Sequence, residues 1–380
     1  MIPLSLYIHF PWCVKKCPYC DFNSHSLKQD LPEEKYLSQL LKDFTAELPR
    51  IKNRKIHSIF MGGGTPSLFS PKSIQYILNH IKNLIEFENP QIEITLEANP
   101  GTVEQERFSG FLEAGINRLS LGIQSFNADK LKRLGRIHDD QAAFRAIDSA
   151  KKAGFVNFNV DLMHGLPNQT LEEALTDIDF AIQSKAPHIS WYQLTLEPNT
   201  LFYQQKPVLP SENILNHIYT SGHNIFKQSQ YQHYEISAYS QKDFECQHNL
   251  NYWEFGDYIG IGAGAHGKIT DLSSQKIIRT LKPKHPKDYI NIENFSDMPS
   301  EYIKDNHLAF EFMLNSLRLQ KPISWDLFSE RCFTDKKSIL AIMEKLVQKK
   351  LLLSNNNFFE LTDLGRRFLN DVLTEFLPNA

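Results

Sequence analysis

The first 200 residues alternate between short apolar runs and longer segments in which apolar residues recur at helical spacing. Each short run is apolar and rich in β-branched residues, which predicts a β-strand. The predicted strands are residues 4–9, 56–61, 92–97, 117–122, 156–163 and 188–194. The helices predicted between them are residues 33–48, 73–85, 104–114, 141–153 and 171–183. This alternation predicts parallel βα units and an α/β fold, a partial TIM-like (βα)6 barrel that is open on one side.

The pattern changes after Pro198. Residues 199–300 are rich in aromatic residues, Asn, His and Gly, and contain few long periodic segments. Helical spacing returns at His307, with helices predicted at 308–319, 336–349 and 363–376 and a hairpin at 351–362. Helices around a hairpin are typical of a winged-helix-like, mostly helical module. We therefore predict a barrel domain over residues 1–200, an extension with few periodic segments over 201–300, and a C-terminal domain over 301–380.

Composition narrows the class of protein. A net charge of −3 over 380 residues indicates no general polyanion-binding surface, so nucleic acid is not an expected partner. No apolar run reaches the roughly 20 residues that a membrane span needs. The apolar stretch after Met1 is too short and too uncharged for a signal peptide. With free thiols at its main site, the chain is expected in the reducing cytoplasm.

Three cysteines, Cys13, Cys17 and Cys20, share one loop directly after the first predicted strand. A cubane iron–sulfur cluster has four iron corners with thiolate ligands, so three thiolates leave one iron open. The open iron can chelate a molecule that carries an amine and a carboxylate, as S-adenosylmethionine does. An alternative is a zinc site with His9 or His25 as fourth ligand. A disulfide is disfavoured because three is an odd number.

A glycine run follows the second predicted strand, at residues 62–64, and Thr65 comes next. Glycine lets the backbone approach a ligand closely, so Gly63, Gly64 and Thr65 are expected to contact the methionine amine of the cofactor. The alternative is an ordinary tight turn between strand and helix.

Four further polar residues lie at or beyond later strands. Glu97 ends the third strand and can accept hydrogen bonds from ribose hydroxyls or from the amine. Gln124 follows the fourth strand, Asp161 lies in the fifth, and Arg136 can pair with the cofactor carboxylate. Each alone is equally explained as a surface or capping residue. Together on one barrel rim they favour a binding site.

These residues resemble those of radical S-adenosylmethionine proteins, and the similarity is strongest to the group that contains the oxygen-independent coproporphyrinogen III dehydrogenases. The resemblance covers roughly residues 4–270, and it implies a (βα)6 partial barrel, a [4Fe-4S] cluster on the three cysteines and cofactor contacts at the matching positions. The matching residues are Tyr7, Cys13, Cys17, Tyr19, Cys20, residues 62–66, Glu97, Gln124, Arg136 and Asp161.

The group contains two functional classes, an enzyme that decarboxylates two propionates of coproporphyrinogen III and heme chaperones. Three departures from the enzyme favour the chaperone. Phe22 stands where the enzymes have a further cysteine, and only six residues precede Tyr7, where the enzymes have a long extension. Residues 248–253, His-Asn-Leu-Asn-Tyr-Trp, match the HNxxYW heme-binding motif of the chaperones. The dehydrogenase remains the alternative, and a radical enzyme acting on RNA is a weaker one.

The motif also has a direct chemical interpretation. The His248 imidazole can ligate heme iron axially, and Tyr252 and Trp253 can pack on the porphyrin face. A structural cluster of His and aromatic residues is the alternative, and Cys246 is a second candidate ligand. The expected partners are heme and an acceptor hemoprotein, such as one of the respiratory chain. The sequence does not decide the acceptor, covalent attachment of heme, cleavage of the cofactor or homodimer formation, nor does it establish enzymatic activity.

Overall fold

The structure, a computed structural model, describes residues 2–51, 53–102 and 105–378. Its strands are β1 (Leu4–Phe10), β2 (Trp12–Cys13), β3 (His25–Ser26), β4 (Ile56–Gly63), β5 (Glu93–Ala98), β6 (Arg118–Gln124), β7 (Asn157–His164), β8 (His188–Gln193), β9 (Gln232–Glu235), β10 (Ala238–Ser240), β11 (Asp257–Ile261), β12 (His266–Asp271), β13 (Lys276–Leu281), β14 (Ser300–Tyr302), β15 (Ile323–Ser324), β16 (Leu352–Ser354) and β17 (Phe358–Leu361).

Its helices are α1 (Glu33–Ile51), α2 (Pro71–Leu84), α3 (Gln105–Ala114), α4 (Ala128–Arg133), α5 (Asp140–Lys152), α6 (Leu171–Gln183), α7 (Leu201–Gln205), α8 (Glu212–Gln228), α9 (Gln247–Trp253), α10 (Pro286–Ile290), α11 (Asp305–Ser316), α12 (Trp325–Cys332), α13 (Leu340–Gln348), α14 (Asp363–Arg367) and α15 (Leu369–Thr374). Short 3₁₀ turns cover Pro66–Leu68, Pro100–Thr102, Phe295–Asp297 and Lys336–Ile339. Glu104, at the predicted start of the third helix, lies outside the described residues.

Twelve strands form one sheet in the order β14-β13-β12-β11-β1-β4-β5-β6-β7-β8-β10-β9, which is not closed into a ring. The run from β11 to β8 is parallel, and antiparallel strands extend it at both edges. The six predicted strands and the open partial barrel are confirmed. A seventh parallel strand, β11, was not predicted, and it pairs with β1.

The two faces of the parallel strands differ in chemistry, as alternation along a strand requires. On β1, Leu4, Leu6, Ile8 and Phe10 are buried in the main core with the apolar face of α1. Ser5, Tyr7 and His9 point to the opposite, inner face, where Ser5 bonds Ser58 of β4 at 2.8 Å. The inner face of the barrel is therefore polar, and the helices cover the outer face.

Residues 303–376, together with Phe255 and Ile277, build a second apolar core around α11, α12 and α13 and the small sheet β15-β17-β16. The predicted hairpin and the mostly helical character of this region are confirmed. Two details of the prediction are wrong. The helix predicted at 363–376 is two short helices, because Phe368 leaves helical geometry at φ −112° and ψ 33°. The helix predicted at 336–349 begins as a 3₁₀ turn.

Segment 201–300 contains a 17-residue helix, α8, that the sequence pattern did not indicate. Its strands join both edges of the main sheet: β9 and β10 lie beside β8, whereas β11–β14 lie beside β1. The division into three domains stays a prediction. None of the described helices combines the length and the apolar character needed to cross a bilayer.

Candidate functional site

The cysteine loop begins where β1 ends, and backbone pairing closes its base. Trp12 and Cys13 pair with His25 and Ser26, so the ends of the loop lie side by side. Inside it, the Cys20 amide donates to the Cys17 carbonyl at 3.1 Å. All five cysteines of the chain are free, and the three of this loop are partly exposed. The loop thus holds its three thiols in reach of solvent, and no disulfide forms among them.

Each thiol of this loop lies beside a group that can donate a hydrogen bond. The Thr65 hydroxyl donates to Cys13 Sγ, Ser24 Oγ lies next to Cys20 Sγ, and Arg136 Nη1 donates to Cys17 Sγ, each at 3.5 Å. Burial raises the pKa of the Cys13 and Cys20 thiols, so each keeps its proton unless a metal takes its place. Donors of this kind stabilise thiolate ligands of an iron–sulfur cluster.

His9, one of the two candidate fourth ligands of a zinc site, has both ring nitrogens engaged in this structure. Nδ1 of His9 lies 3.0 Å from the Tyr7 hydroxyl, and Nε2 lies 2.8 Å from the Asn23 carbonyl oxygen. Within the described ranges, no group of three or more His, Cys, Asp or Glu side chains is placed to hold one metal ion. In a cubane cluster each thiolate binds a different iron, so its ligands stand farther apart than those of a single zinc ion.

The glycine turn after β4 packs against the start of the cysteine loop. Gly63 has φ +110°, and a Cβ there would lie 2.3 Å from the His9 ring. A Cβ on Gly64 would lie 2.5 Å from the Trp12 carbonyl oxygen. The positive φ and the nearby His9 ring therefore already require glycine at position 63, and the nearby Trp12 backbone requires it at position 64. The predicted contact of Gly63, Gly64 and Thr65 with a cofactor amine stays a prediction.

Glu97 and Asp161 face the polar interior of the barrel. Glu97 Oε2 accepts from the Gly63 amide at 3.0 Å, and Asp161 accepts from Ser120 at 3.1 Å and Asn159 at 2.7 Å. Burial, and secondly the charge of Asp161, raise the pKa of Glu97 to about 8. Burial also raises the pKa of Asp161. Two buried carboxyl groups of this kind favour the binding of a cation or of a ligand that donates hydrogen bonds.

Arg136 bridges the cysteine loop and the end of β6. Besides its contact with Cys17, it donates through Nη2 to the Gly122 carbonyl at 2.7 Å and to Asn99 Oδ1. Its Nε is buried and has no hydrogen-bond partner among the described residues. A buried donor without a partner is costly, and a carboxylate ligand would satisfy it.

Gln124 ends β6 with the unusual φ of +71°, and its Oε1 accepts from the Tyr192 hydroxyl at 2.8 Å. The sequence argument missed Tyr192, although its place one residue before the end of β8 repeats the strand-end pattern. It also assigned no role to Asn99, which donates to Thr65 Oγ1 at 2.9 Å.

The three thiols, the unpaired donor of Arg136 and Glu97 lie at the carboxyl ends of the parallel strands, and Asp161 lies midway along β7. These residues fit a [4Fe-4S] cluster and a nucleotide that carries both an amine and a carboxylate.

The His248 motif lies at the opposite end of the barrel. Helix α9 contacts Ser58 and Glu93, which are near the amino ends of β4 and β5, and Ser5 of β1. His248 is 1% exposed. Its Nδ1 lies 3.0 Å from the Ser58 hydroxyl, and its Nε2 lies 3.0 Å from the Tyr252 hydroxyl.

Burial lowers the pKa of His248 to about 3, so the ring is neutral, as an iron ligand requires. In this conformation, however, both ring nitrogens are engaged, and His248 does not fit an axial ligand that is ready to bind. Trp253 is half-buried and packs against the Arg318 guanidinium, 4.3 Å from the ring centre.

Known proteins resemble the chain over its whole length. Residues 7–181 match the Radical SAM superfamily, and residues 303–368 match the HemN C-terminal domain. A Haemophilus influenzae protein named heme chaperone HemW is 51% identical over 379 residues, with 99% of this chain and 98% of that protein covered. An Escherichia coli protein of the same name is 46% identical over 375 residues, with 99% and 98% covered.

Among solved structures, coproporphyrinogen III oxidase (HemN) from Escherichia coli matches with a TM-score of 0.83 at 22% identity. The match covers 99% of this chain and 90% of that one. At this identity the likeness supports the fold, an open barrel with its C-terminal unit.

Proposed function

The chain belongs to the heme chaperone HemW family within the radical S-adenosylmethionine superfamily, and from this premise we propose that it binds heme and transfers it to acceptor hemoproteins. The observation that carries the proposal is 51% identity to a protein named heme chaperone over nearly the full length of both chains. The HNxxYW motif at residues 248–253 supports it, and so does Phe22 at the place of the enzymes' further cysteine.

Cys13, Cys17 and Cys20 would hold a [4Fe-4S] cluster with one open iron. When bound, that cluster supplies an electron that can reach the sulfonium of S-adenosylmethionine. The chain's own part is to keep the thiols at the barrel mouth and to surround them with hydrogen-bond donors. Thr65 and Arg136 do this for Cys13 and Cys17.

Four side chains, three from strands and Arg136 from the segment after α4, would hold the nucleotide. Arg136 would donate its unused Nε–H to the carboxylate, because Nη2 is bonded to Gly122 and Asn99 and Nη1 contacts Cys17. Glu97 and Asp161 would accept from the ammonium or from ribose hydroxyls. Gln124 is oriented by Tyr192 and would offer its amide.

The acceptor would be a hemoprotein that receives its heme in the cytoplasm or at the inner side of a membrane, such as one of the respiratory chain. A cluster with an open iron and three ligand thiols needs a reducing compartment. This requirement supports a cytoplasmic place for the protein.

Heme titration of the anaerobically reconstituted protein tests the proposal. We expect one heme per chain with a Soret band typical of histidine ligation, and a loss of affinity of roughly tenfold or more in His248→Ala. His217→Ala, an exposed histidine on α8, is the matched control and should bind like the wild type. Unchanged affinity and spectrum in His248→Ala would remove His248 as the ligand.

The dehydrogenase alternative is tested with the same preparation. Incubation with reductant, S-adenosylmethionine and coproporphyrinogen III should yield no protoporphyrinogen. Formation of protoporphyrinogen together with an absence of heme binding would replace the chaperone by the enzyme.

A further inference from the structure

Helix α9 closes the floor of the barrel, and polar contacts hold it there. Of its seven residues, His248 and Asn251 are buried, and both are polar. Asn251 Nδ2 donates to Ser5 Oγ at 2.9 Å and to the Asp257 carbonyl at 2.8 Å. Its fit is tight, because a Cβ on Gly256 would lie 1.8 Å from Asn251 Oδ1. We call this seven-residue helix the floor plug.

Glu93, the first residue of β5, binds the start of the plug with both carboxylate oxygens. Oε1 accepts from the His248 amide at 3.2 Å and from Cys246 Sγ at 3.4 Å, and Oε2 accepts from the Gln247 amide at 3.2 Å. Amides in the first turn of a helix have no partner within the helix, so the carboxylate satisfies them from outside. The buried Arg118 guanidinium lies 3.7 Å from the same carboxylate and balances its charge.

The heme motif is thus closed in this conformation. Nδ1 of His248 is taken by Ser58 and Nε2 by Tyr252, so no ring nitrogen has a free lone pair for iron. A porphyrin also needs a flat space beside the ligand, and here the space around the imidazole is filled by Phe60 at 5.2 Å and Tyr252 at 4.7 Å between ring centres.

The plug has the properties of an element that can leave. It is short, and water can replace the polar contacts that its two buried residues make. It also lies between two residues in left-handed backbone conformations, Asp243 at φ +69° and Phe255 at φ +57°. Such conformations are strained for a bulky residue and are held by the surrounding structure.

We propose that Glu93 is a positioning residue that holds the floor plug shut, and that His248 reaches heme iron only after the plug has left the barrel floor. The proposal rests on the proposed heme binding and adds how the site opens. Because only the open fraction of molecules can bind, the apparent dissociation constant is the intrinsic one divided by that fraction. A substitution that weakens the contacts between Glu93 and the floor plug must therefore tighten heme binding.

The first test compares heme titration and stopped-flow binding of the wild type and Glu93→Gln. Glutamine keeps the shape and removes the charge, so we expect apparent affinity and association rate to rise severalfold. Damage to the fold would lower affinity instead, so the sign separates positioning from instability. Glu88→Gln, at an exposed carboxylate bonded to His57, is the matched control and should change neither quantity. Lower or unchanged affinity in a folded Glu93→Gln protein would overturn the proposal.

The second test needs no variant and so does not depend on how Glu93→Gln folds. Cys246 precedes the plug and is 0% exposed, and Cys332 is 2% exposed in the second core. We expect heme to speed alkylation of Cys246, followed by mass spectrometry, while Cys332 stays slow. If heme binds and the alkylation rate of Cys246 stays the same as without heme, the proposed opening of the plug is contradicted, while the chaperone function is not. A wild type that binds no heme would overturn both.

Discussion

Gly63 illustrates how a single residue is fixed by its surroundings. Its φ of +110° excludes most side chains, and a Cβ would lie 2.3 Å from the His9 ring. We expect Gly63→Ala to lower the free energy of unfolding by about 3 kcal/mol, from backbone strain together with the clash. Urea denaturation of the cofactor-free protein measures the change.

Gly101→Ala is the control for that substitution, because a Cβ there meets no heavy atom closer than 3.6 Å. Its effect should stay within about 0.5 kcal/mol. Equal losses in the two variants would show that the contact with His9 is not what requires glycine at position 63.

Glu97 makes stability depend on pH in a direction opposite to that of most carboxylates. Its pKa is raised from 4.5 to about 8, first by burial and then by Asp161, so the folded state binds more protons than the unfolded state between these values. The contribution of Glu97 to the free energy of unfolding should therefore be complete below about pH 4.5, and it should fall as pH rises towards 8. Asp161, whose pKa is raised as well, adds to the same slope.

Glu97→Gln has no proton to release and should show a shallower decline of unfolding free energy between about pH 5 and pH 8. Urea denaturation across this range, without cofactor, measures the slope. Glu344→Gln, at an exposed position of α13, should keep the slope of the wild type. A slope in Glu97→Gln as steep as in the wild type would contradict the raised pKa.

The places of the rim residues were predictable because strand ends are readable from the sequence. Glu97 and Gln124 lie where the pattern of a predicted strand ends, and the carboxyl ends of neighbouring parallel strands lie side by side. Their partners were not predictable. Tyr192 reaches Gln124 across β7, and Arg136 meets Cys17 across 119 positions of chain. Such contacts depend on the direction in which each side chain points, and the pattern of polar positions along the sequence does not predict that direction.

At the level of elements, α1 is tied to the segment after β13 by a buried ion cluster. Lys282 Nζ donates to Asp43 and, at 2.7 Å, to Glu47, and all three side chains are at most 1% exposed. Asp43 also accepts from Tyr289 at 2.8 Å. We expect Lys282→Met to lower the free energy of unfolding by about 3–5 kcal/mol, because it leaves the Asp43 carboxylate buried without a cation and Glu47 with Arg50 alone.

Lys55→Met removes an exposed pair and is the control for that substitution. The side chains of Lys55 and Glu86 are 54% and 77% exposed, so the loss should stay below about 1 kcal/mol. Denaturation curves of both variants give the comparison. A Lys282→Met protein as stable as Lys55→Met would show that the ion cluster does not hold α1 in place.

The elements that the sequence missed share a physical reason. Strand β11 has five residues and owes its place to pairing with β1, some 250 positions earlier in the chain, so nothing local marks it as parallel. The break at Phe368 likewise has no local signal at that position, which is neither proline nor glycine. Local periodicity identified the six strands because each is a short apolar run, and five of them are followed by a helix that the spacing also predicts.

At the scale of the whole molecule, the two predicted binding regions occupy opposite ends of one sheet. The cysteine loop and the rim residues lie at the carboxyl ends of the parallel strands, whereas His248 lies at their amino ends. The sequence identified the motif but did not predict its position in the fold. That position depends on the pairing of β11, the strand after α9, with β1. This arrangement separates the proposed cluster and nucleotide from the proposed heme site.

The measurement that tests the chaperone function most directly is transfer of heme to an acceptor. The anaerobically reconstituted, heme-loaded protein is mixed with an apo-hemoprotein, and the spectrum of the acceptor is followed with time. We predict that the acceptor gains heme faster than it does from the same concentration of heme on albumin, and that His248→Ala prepared in the same way gives no such advantage. Heme that stays on the protein, or that moves no faster than from albumin, would contradict the account.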